Sequence, residues 1–204
     1  MLMQTQKCYY TERYDQDYFE RLYAEHADPW SVLASAYEYD KYAATTAALE
    51  QSRYDSVLEL GCSIGGLTRR LATRCDRLVA VDTSEAALAR ARQICGYSHV
   101  EFVQAHLPDG DFAGPFDLIV LSEILYYFSM PALVRLADRV AKVAKPGAEY
   151  VVVHWTGGTD YPLTGDRATE LFQTLVRAKL RARTRHPSYR LESWRAPSRA
   201  TGAA

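Results

Sequence analysis

Hydrophobic and polar positions along the chain follow two periods, one typical of helices and one typical of strands. Over residues 14–25, aromatic and apolar residues recur at every fourth position, which predicts an amphipathic helix. Asp28-Pro29-Trp30 breaks this pattern, because proline cannot continue a helix. A second helix is predicted over residues 35–50, and we expect residues 1–54 to form a small helical cap.

Residues 55–155 alternate short apolar runs with segments of helical period. Apolar runs of strand length that are separated by helices are typical of a parallel sheet covered on both faces. Strands are predicted at residues 56–60, 78–81, 99–104, 116–121 and 150–154. Helices are predicted at residues 64–74, 85–95 and 131–143, the second with a Thr83-Ser84 cap and the third with a stop at Lys145-Pro146-Gly147.

A different pattern follows in residues 156–204. A helix is predicted over residues 165–176. Residues 179–185 and 189–195 then alternate in period two around a short turn, which predicts an antiparallel hairpin. We therefore expect an α/β fold in which the whole chain of 204 residues forms one domain, with a parallel sheet that ends in a hairpin.

Composition and charge exclude several classes of protein. Hydrophobic residues make up 48% and charged residues 24% of the chain, as in ordinary globular domains. The net charge of -1 provides no overall basic field for nucleic acid. Residues 165–204 do hold nine Lys or Arg against three Asp or Glu, which we interpret as solvated strand faces in preference to a polyanion site.

Apolar segments and cysteine content bear on the compartment. No apolar run reaches the roughly 18 residues that a membrane span needs, and the N-terminus lacks the apolar region of a signal peptide. The four cysteines, Cys8, Cys62, Cys75 and Cys95, show neither CxxC nor zinc-like spacing. We therefore expect reduced thiols in the cytoplasm and no metal site, because the two acids in the turn 109–111 are too few for one.

The strongest chemical signal follows the first predicted strand of the core. That strand ends at Leu60, and a turn with glycines at 61, 65 and 66 opens the next helix. A glycine turn lets a ligand approach the backbone closely, and the start of a helix presents free N–H groups. Asp82 ends the next strand, 21 residues after Gly61, where a carboxylate can accept both ribose hydroxyl protons.

A dinucleotide-binding dehydrogenase is one interpretation of this outline. Its G-x-G-x-x-G pattern needs glycine at position 63, where the chain has Ser63. A short-chain dehydrogenase also needs Tyr-x-x-x-Lys late in the chain. Tyr37 and Lys41 have that spacing but precede the glycine turn, so we attribute the match to helix packing.

The segment Glu59-x-Gly61-x-Ser63-x-Gly65 resembles motif I of the class I S-adenosylmethionine-dependent methyltransferases. Further stretches resemble the nodulation protein S family, namely Asp28-Pro29-Trp30, residues 121–127 and residues 154–162. The resemblance covers roughly residues 18–195. It implies a Rossmann-like, seven-stranded sheet of order 3-2-1-4-5-7-6 with strand 7 antiparallel. It also implies N-methylation of the free amine of a de-N-acetylated chitooligosaccharide.

The same resemblance implies S-adenosyl-L-methionine as cofactor, with S-adenosyl-L-homocysteine as its product. The residues that it places at the cofactor are Glu59, Gly61, Cys62, Ser63 and Gly65 at the methionine moiety, Asp82 at the ribose and Thr83 beside the adenine. Ser63 departs from the middle glycine of the motif, and His106 stands where an Asp usually meets the adenine amino group. Further expected contacts are Leu107 through its backbone N–H, Ser122, and the cap aromatics Trp30 and Tyr37 as a cover.

Candidate catalytic residues follow the fourth and fifth predicted strands. Methyl transfer is a displacement at a sulfonium methyl, so the enzyme mainly aligns the nucleophile and excludes water, which is worth ~7–11 kcal/mol. Glu123 lies at the sheet edge where open α/β folds bind ligands, and its carboxylate can orient an ammonium and later accept a proton. Tyr126, in preference to Tyr127, is expected to face the methyl group, and His154 is a candidate base. Candidate acceptor-binding residues are Tyr127, Trp155, which suits stacking on a sugar ring, and Asp160.

Several functions stay open at this stage. The acceptor is a hydroxyl or carboxyl group in one alternative, with His154 as base, and the protein binds the cofactor without turnover in another. An RNA methyltransferase would need a basic groove at the carboxyl edge of the sheet, whereas the positive charge clusters in the C-terminal hairpin. We expect a small-molecule acceptor such as an amino sugar, with neither membrane nor nucleic acid as partner. The sequence indicates no oligomeric state.

Overall fold

A seven-stranded sheet with helices on both faces makes up most of residues 14–198, the part of the chain that this computed structural model describes. The strands are β1 (Tyr54–Leu60), β2 (Cys75–Asp82), β3 (Val100–Gln104), β4 (Phe116–Ser122), β5 (Ala144–Trp155), β6 (Lys179–Arg185) and β7 (Tyr189–Arg195). The helices are α1 (Gln16–Glu25), α2 (Ala36–Ala47), α3 (Thr68–Leu71), α4 (Glu85–Cys95), α5 (Met130–Val143) and α6 (Gly165–Leu175). Short 3-10 turns span Ala72–Arg74 and Leu125–Tyr127.

The sheet has the strand order β3-β2-β1-β4-β5-β7-β6, as the resemblance implied. Strands β1 to β5 pair in parallel, and β7 runs antiparallel to both β5 and β6. The carboxyl ends of β1 to β5 therefore meet at one edge of the sheet. The predicted α/β fold and the predicted antiparallel hairpin are both confirmed.

Two apolar cores lie on the two faces of the sheet. Successive side chains of a strand point to opposite faces, so Val57 belongs to one core and Leu58 to the other. Leu58 packs in the core that α5 and α6 cover, with residues such as Phe172. Val57 packs in the core that includes Tyr42 of α2 and Leu71 of α3. Helix α2 is thus held against the sheet at the same edge where the parallel strands end.

The largest departure from the predicted elements follows the glycine turn. A helix was expected over residues 64–74, but only α3 and the 3-10 turn Ala72–Arg74 form there. Ser63 has φ 53° and Gly65 has φ 86°, and residues in the left-handed region cannot begin a right-handed helix. The α-helix after the turn therefore begins only at Thr68.

Smaller differences concern element ends. Helix α2 ends at Ala47, three residues before the predicted end at 50. Tyr126 and Tyr127 lie in a separate 3-10 turn, and α5 begins after it, at Met130. Strand β5 begins at Ala144, so the Lys145-Pro146-Gly147 segment that stops α5 is already part of the strand.

The basic C-terminal hairpin is largely neutralised by acids. All seven residues of β6 are exposed. Arg185 pairs with Asp166 at the start of α6, and Arg190 pairs with Asp166, Glu170 and Glu192. Acids therefore balance the positive charge of the hairpin, on the exposed strand β6 and also at the buried Arg190 of β7, so the expected solvated face is confined to β6.

Two further findings concern the described residues. Within residues 14–198, no helix combines the length and hydrophobicity that crossing a membrane requires. Cys62, Cys75 and Cys95 are buried free thiols, whereas Cys8 lies outside the described part of the chain.

Candidate cofactor and acceptor site

A cavity of about 560 Å³ lies at the edge where the parallel strands end. Helices α1 and α2 and the segment between them supply one wall, and the turns after β1, β2, β3, β4 and β5 supply most of the rest, together with the first turns of α5. Every residue predicted for the site lines this cavity except Gly65, His154 and Asp160. The predicted site residues therefore come together at one cavity, apart from these three.

Glu59 and Gly61 form the floor of the cavity at the end of β1. Glu59 is only 2% exposed, and its Oε2 atom has no hydrogen-bond partner in the protein. Burial in this apolar position raises the pKa of Glu59 to about 8. Gly61 has φ 77°, and an added Cβ would lie 2.8 Å from Cδ1 of Ile124. A buried carboxylate with one unpartnered oxygen at the floor of the cavity suits a cationic ligand.

Ser63 occupies the middle position of the glycine turn in a left-handed conformation. This conformation explains why glycine is the usual residue there. Its backbone N–H donates to Oδ2 of Asp82 at 2.8 Å, and its hydroxyl oxygen accepts a hydrogen bond from the hydroxyl of Tyr23 at 2.5 Å. The serine thus joins the turn to β2 on one side and to α1 on the other.

Gly65 lies outside the cavity because it serves helix packing. An added Cβ at this position would be 3.2 Å from both Cα and Cβ of Ala91 in α4. The glycine lets α4 pack closely against the turn. The cofactor contact predicted for Gly65 does not fit this position.

Asp82 and its neighbours line the end of the cavity near β2 and β3. The Asp82 carboxylate accepts hydrogen bonds from the backbone N–H groups of Ser63 and Ser84, at 2.8 and 3.1 Å. Burial raises the pKa of Asp82, and these hydrogen bonds oppose the rise. Thr83 Oγ1 and His106 Nδ1 lie 3.4 Å apart, so His106 stands beside Thr83 in the region predicted for an adenine.

Glu123 is held in one orientation on the opposite side of the cavity. It directly follows β4 and has φ 55°, a conformation that costs roughly 1–3 kcal/mol and is found most often at functional sites. Among the described residues, three donors reach its carboxylate. Lys41 Nζ lies 2.7 Å from Oε1, while the Tyr126 hydroxyl and the Trp155 backbone N–H each lie 2.8 Å from Oε2.

Lys41 connects Glu123 to a second buried acid. Its ammonium also donates to Oε1 of Glu38 at 2.8 Å, and its side chain is only 2% exposed. We call Glu38, Lys41 and Glu123 the charge cluster. It carries two carboxylates and one ammonium, a formal charge of −1. The sequence signal for it was weak, because Glu38 and Lys41 look like an ordinary i, i+3 pair and Glu123 is 82 positions further along the chain.

Aromatic rings form the wall beside Glu123. Tyr126 stacks on Tyr161 with ring centroids 4.9 Å apart, and Tyr127 contacts both Tyr161 and Phe19, at 4.6 and 5.1 Å. Burial raises the pKa values of Tyr126 and Tyr127 well above the ordinary tyrosine value, so both hydroxyls stay protonated. Tyr126 therefore acts as a hydrogen-bond donor to Glu123. Phe19 and Tyr161 were not predicted, because nothing in the local sequence separates them from core aromatics.

His154 is a correction to the predicted catalytic set. The residue is fully buried and its Nε2 atom accepts hydrogen bonds from the backbone N–H groups of Ile124 and Leu125, at 3.3 and 3.0 Å. Burial lowers the pKa of His154 to about 4, so the ring is neutral at pH 7. A catalytic base at His154 does not fit this position. The imidazole instead supports the turn that follows Glu123.

Asp160 and Trp155 differ in their access to the cavity. Asp160 accepts a hydrogen bond from the Tyr14 hydroxyl at 3.0 Å and lies outside the lining, although Thr159 and Tyr161 beside it belong to the lining. Trp155 lines the cavity, is 37% exposed and makes an edge contact with Tyr37 at 5.8 Å. Trp155 therefore lines the cavity, as expected for an acceptor-binding residue, whereas Asp160 lies outside the lining.

In the described part of the chain, no three His, Cys, Asp or Glu side chains group closely enough to hold a metal ion. Asp109 and Asp111 form ion pairs with Arg135 and Arg139 of α5.

The sheet order, the glycine turn after β1 and the acid at the end of β2 together define the methyltransferase fold. The N-methyltransferase NodS from Bradyrhizobium japonicum WM9, solved in complex with S-adenosyl-L-homocysteine, aligns with a TM-score of 0.80. The sequences are 24% identical, over 90% of this chain and 98% of that chain. A putative methyltransferase from Pseudomonas syringae aligns with a TM-score of 0.70 and 34% identity, over 79% of this chain and 99% of that chain.

The family model for nodulation protein S (NodS) matches residues 12–145, so the chain belongs to the nodulation protein S family. Nodulation protein S from Sinorhizobium fredii is 36% identical over 112 residues, which are 54% of this chain and 52% of that protein. Nodulation protein S from Bradyrhizobium diazoefficiens is 40% identical over 105 residues, 49% of each protein. The chain spans about half the length of these curated relatives.

Proposed function

We propose that the protein is an S-adenosylmethionine-dependent N-methyltransferase whose acceptor is a small-molecule amine, with an amino sugar as the first candidate. The observation that carries the amine acceptor is the charge cluster of Glu38, Lys41 and Glu123 with its formal charge of −1. Family membership supports the reaction class, because relatives are named N-methyltransferase NodS and nodulation protein S.

The residues at the ends of β1 and β2 fit the proposed cofactor. S-adenosylmethionine supplies a methyl group on a sulfonium when it is bound. The unpartnered Oε2 of Glu59 suits the ammonium of its methionine moiety, and Gly61 lines the cavity beside it. Asp82 is placed to accept ribose hydroxyl protons, and Thr83 and His106 flank the region assigned to the adenine.

The charge cluster suits a neutral amine that attacks a sulfonium methyl. The nitrogen forms the new N–C bond as the S–C bond breaks, so the positive charge passes from sulfur to nitrogen. Glu123 stabilises the charge that develops on nitrogen, as pre-oriented charged groups do at transition states. The product ammonium then loses its proton to the carboxylate or to water.

The cap and the aromatic wall exclude water from this reaction. Phe19 and Tyr23 of α1 line the cavity together with Tyr127 and Tyr161. Exclusion of water and alignment of two reactants are together worth roughly 7–11 kcal/mol. Trp155 is partly exposed next to Glu123, and its ring offers the apolar face that sugar rings stack on.

A hydroxyl acceptor is less well supported. A hydroxyl must lose its proton as it attacks, which requires a base at the site. His154, the base considered for that alternative, is buried behind the turn at 124–125 and already accepts two backbone hydrogen bonds.

The proposal is tested in two measurements. Calorimetric binding of S-adenosyl-L-homocysteine, with Asp82→Ala as control, tests the cofactor site, and we expect micromolar affinity that the substitution removes.

Mass spectrometry after incubation with S-adenosylmethionine and glucosamine oligomers tests the acceptor, with fully N-acetylated oligomers as matched control. Methylation of the free-amine oligomers alone supports the amine. Methylation of the N-acetylated oligomers contradicts it, and binding without any transfer indicates a non-catalytic protein.

A further inference from the structure

Lys41 is a buried charge that fold stability does not explain. Its side chain is 2% exposed and bridges Glu38 on its own helix and Glu123 at the end of β4. Removing an ammonium from water costs several kcal/mol, and buried ion pairs are often replaced by apolar residues without loss of stability. Apolar residues in place of the whole cluster would hold α2 against the sheet about as well, whereas a methionine at Lys41 alone would leave Glu38 and Glu123 without their shared cation. The ammonium therefore needs a reason other than packing.

The hydrogen bonds of the Glu123 carboxylate explain why an ammonium is present at Lys41. A carboxylate has about four acceptor positions, and three of them are taken here. The Tyr126 hydroxyl and the Trp155 N–H occupy Oε2, and Lys41 occupies one position on Oε1. One position remains, on the oxygen that Lys41 holds. Without Lys41, the carboxylate is fixed through one oxygen only and can turn about it.

We propose that Lys41 is a positioning residue for methyl transfer. It holds Oε1 of Glu123 so that the remaining acceptor position receives an N–H of the acceptor amine, and Glu38 fixes Lys41 in turn. This inference rests on the proposed N-methyltransferase function and adds to it a residue that acts through Glu123.

The charge of Lys41 has a second effect on the acceptor. The cluster has a formal charge of −1 with Lys41 and −2 without it. A charge of −2 favours binding of the acceptor as an ammonium, which has no lone pair and cannot attack. Among the described residues, the titratable groups around Lys41 Nζ and the Glu123 carboxylate include Glu38, Tyr37 and Tyr42 from α2, Tyr126 and Tyr127 after β4, and His154 from β5. Lys41 is the cation of this group, because His154 is neutral at pH 7.

Kinetics of Lys41→Met test the proposal. We expect kcat to fall by about 100-fold, since a misplacement of about 1 Å at a reacting group has an effect of this size. KM for the amine should stay unchanged or decrease, and the pH profile of kcat should move to higher pH. Binding of S-adenosyl-L-homocysteine should remain at its wild-type value, whereas the melting temperature should fall, because Glu38 and Glu123 lose their shared cation. Lys41→Arg, which keeps the charge, should recover most of the lost rate and the wild-type pH profile.

Two further variants separate positioning from a structural role. Lys142→Met removes an exposed lysine that pairs with Asp138, and it should leave all parameters unchanged. The double variant Lys41→Met with Glu123→Gln should be no slower than Glu123→Gln alone, because Lys41 acts through Glu123. Lys41→Gln is the second neutral variant if Lys41→Met does not fold, and the same displacement of the pH profile is expected.

Two results would overturn the inference. One is a kcat within about threefold of wild type in a folded Lys41→Met protein, which is less than the effect of a lost positioning contact. The other is a joint loss of cofactor affinity and thermal stability with an unchanged pH profile, which would make Lys41 a structural link between α2 and the sheet. A wild-type protein that methylates no amine contradicts the proposed function instead, and that outcome is visible before any variant is made.

Discussion

Tyr23 donates a hydrogen bond of 2.5 Å to the hydroxyl oxygen of Ser63, and this bond connects helix α1 to the glycine turn. The serine that departs from the glycine motif is therefore used to attach the cap. Arg90 of α4 adds a second link, because its guanidinium donates to the carbonyl oxygen of Tyr23 at 2.7 Å. The position of Tyr23 over the turn is thus fixed through both its side chain and its backbone.

Removal of the link between Tyr23 and Ser63 should weaken cofactor binding. We expect Tyr23→Phe to lower the affinity for S-adenosyl-L-homocysteine by roughly 3- to 10-fold, because one hydrogen bond contributes about 0.5–1.5 kcal/mol. Calorimetry measures the change.

Ser63→Gly loses the same bond but relieves the left-handed strain, so it should be more stable than Ser63→Ala by about 1 kcal/mol. Equal stability of the two Ser63 variants would contradict this account.

Glu123 should be the residue on which turnover depends most. Glu123→Gln keeps the shape of the side chain but removes the charge that stabilises the developing ammonium. We expect kcat to fall by about 10²- to 10⁴-fold with unchanged affinity for S-adenosyl-L-homocysteine. Glu101→Gln is a matched control, since Glu101 forms only an exposed pair with Arg77. A Glu123→Gln enzyme as fast as Glu101→Gln would exclude Glu123 from the reaction.

Glu59 should make the ligand-free protein less stable at high pH. Its pKa is raised from 4.5 to about 8 in the folded state, so the folded protein holds a proton that the unfolded chain releases between these values. Stability should therefore decrease as pH rises from 4.5 to 8. Glu59→Gln should remove this part of the decrease and raise the melting temperature most above pH 8, by roughly 2–4 °C for each kcal/mol recovered.

The same substitution should weaken the binding of S-adenosyl-L-homocysteine, because the amide has no charge to offer its ammonium. Thermal melts at several pH values with and without ligand measure both effects. A melting curve that changes with pH identically in wild type and Glu59→Gln would show that Glu59 does not titrate in this range.

His154 should set part of the acid stability limit. Its pKa is lowered from 6.5 to about 4 in the folded state, so it contributes stability that is complete above pH 6.5 and is lost as pH falls toward 4. His154→Gln, which keeps an acceptor but does not titrate, should remove that acid dependence. His154→Phe leaves two backbone N–H groups unpaired and should cost about 1–3 kcal/mol for each. Chemical denaturation at pH 5 and pH 7.5 distinguishes these variants, and a pH dependence retained in His154→Gln would refute the assignment.

The elements that sequence predicted well have strong local signals at both ends. Helix α4 starts and ends as predicted, because the Ser84 side chain caps the N–H of Ala87 and Gly96 adopts φ 65° at the other end. The hairpin of β6 and β7 also matches its predicted residues, since period-two alternation around a proline turn has few alternative structures.

The errors arose where distant contacts decide the outcome. The orientation of His154 depends on the packing of the turn at 124–125, which no local pattern reveals. Lys41 appeared to be a packing residue because its partner Glu123 is far along the chain. The predicted helix at 64–74 failed because Ser63 takes a left-handed conformation that its bond with Asp82 helps to hold. The residues predicted at the cofactor could be named because a contiguous motif encodes them, whereas the charge cluster comes from separate elements.

Strand β6, exposed along its whole length, has a consequence for how the protein behaves among other chains. An outermost strand carries unpaired N–H and C=O groups that invite a further strand to dock. Lys179, Arg181, Arg183 and Arg185 occupy alternate positions of β6. Pairing of a second strand with β6 would desolvate these charged side chains and displace the acids that pair with them. These charges therefore oppose edge-to-edge aggregation through β6.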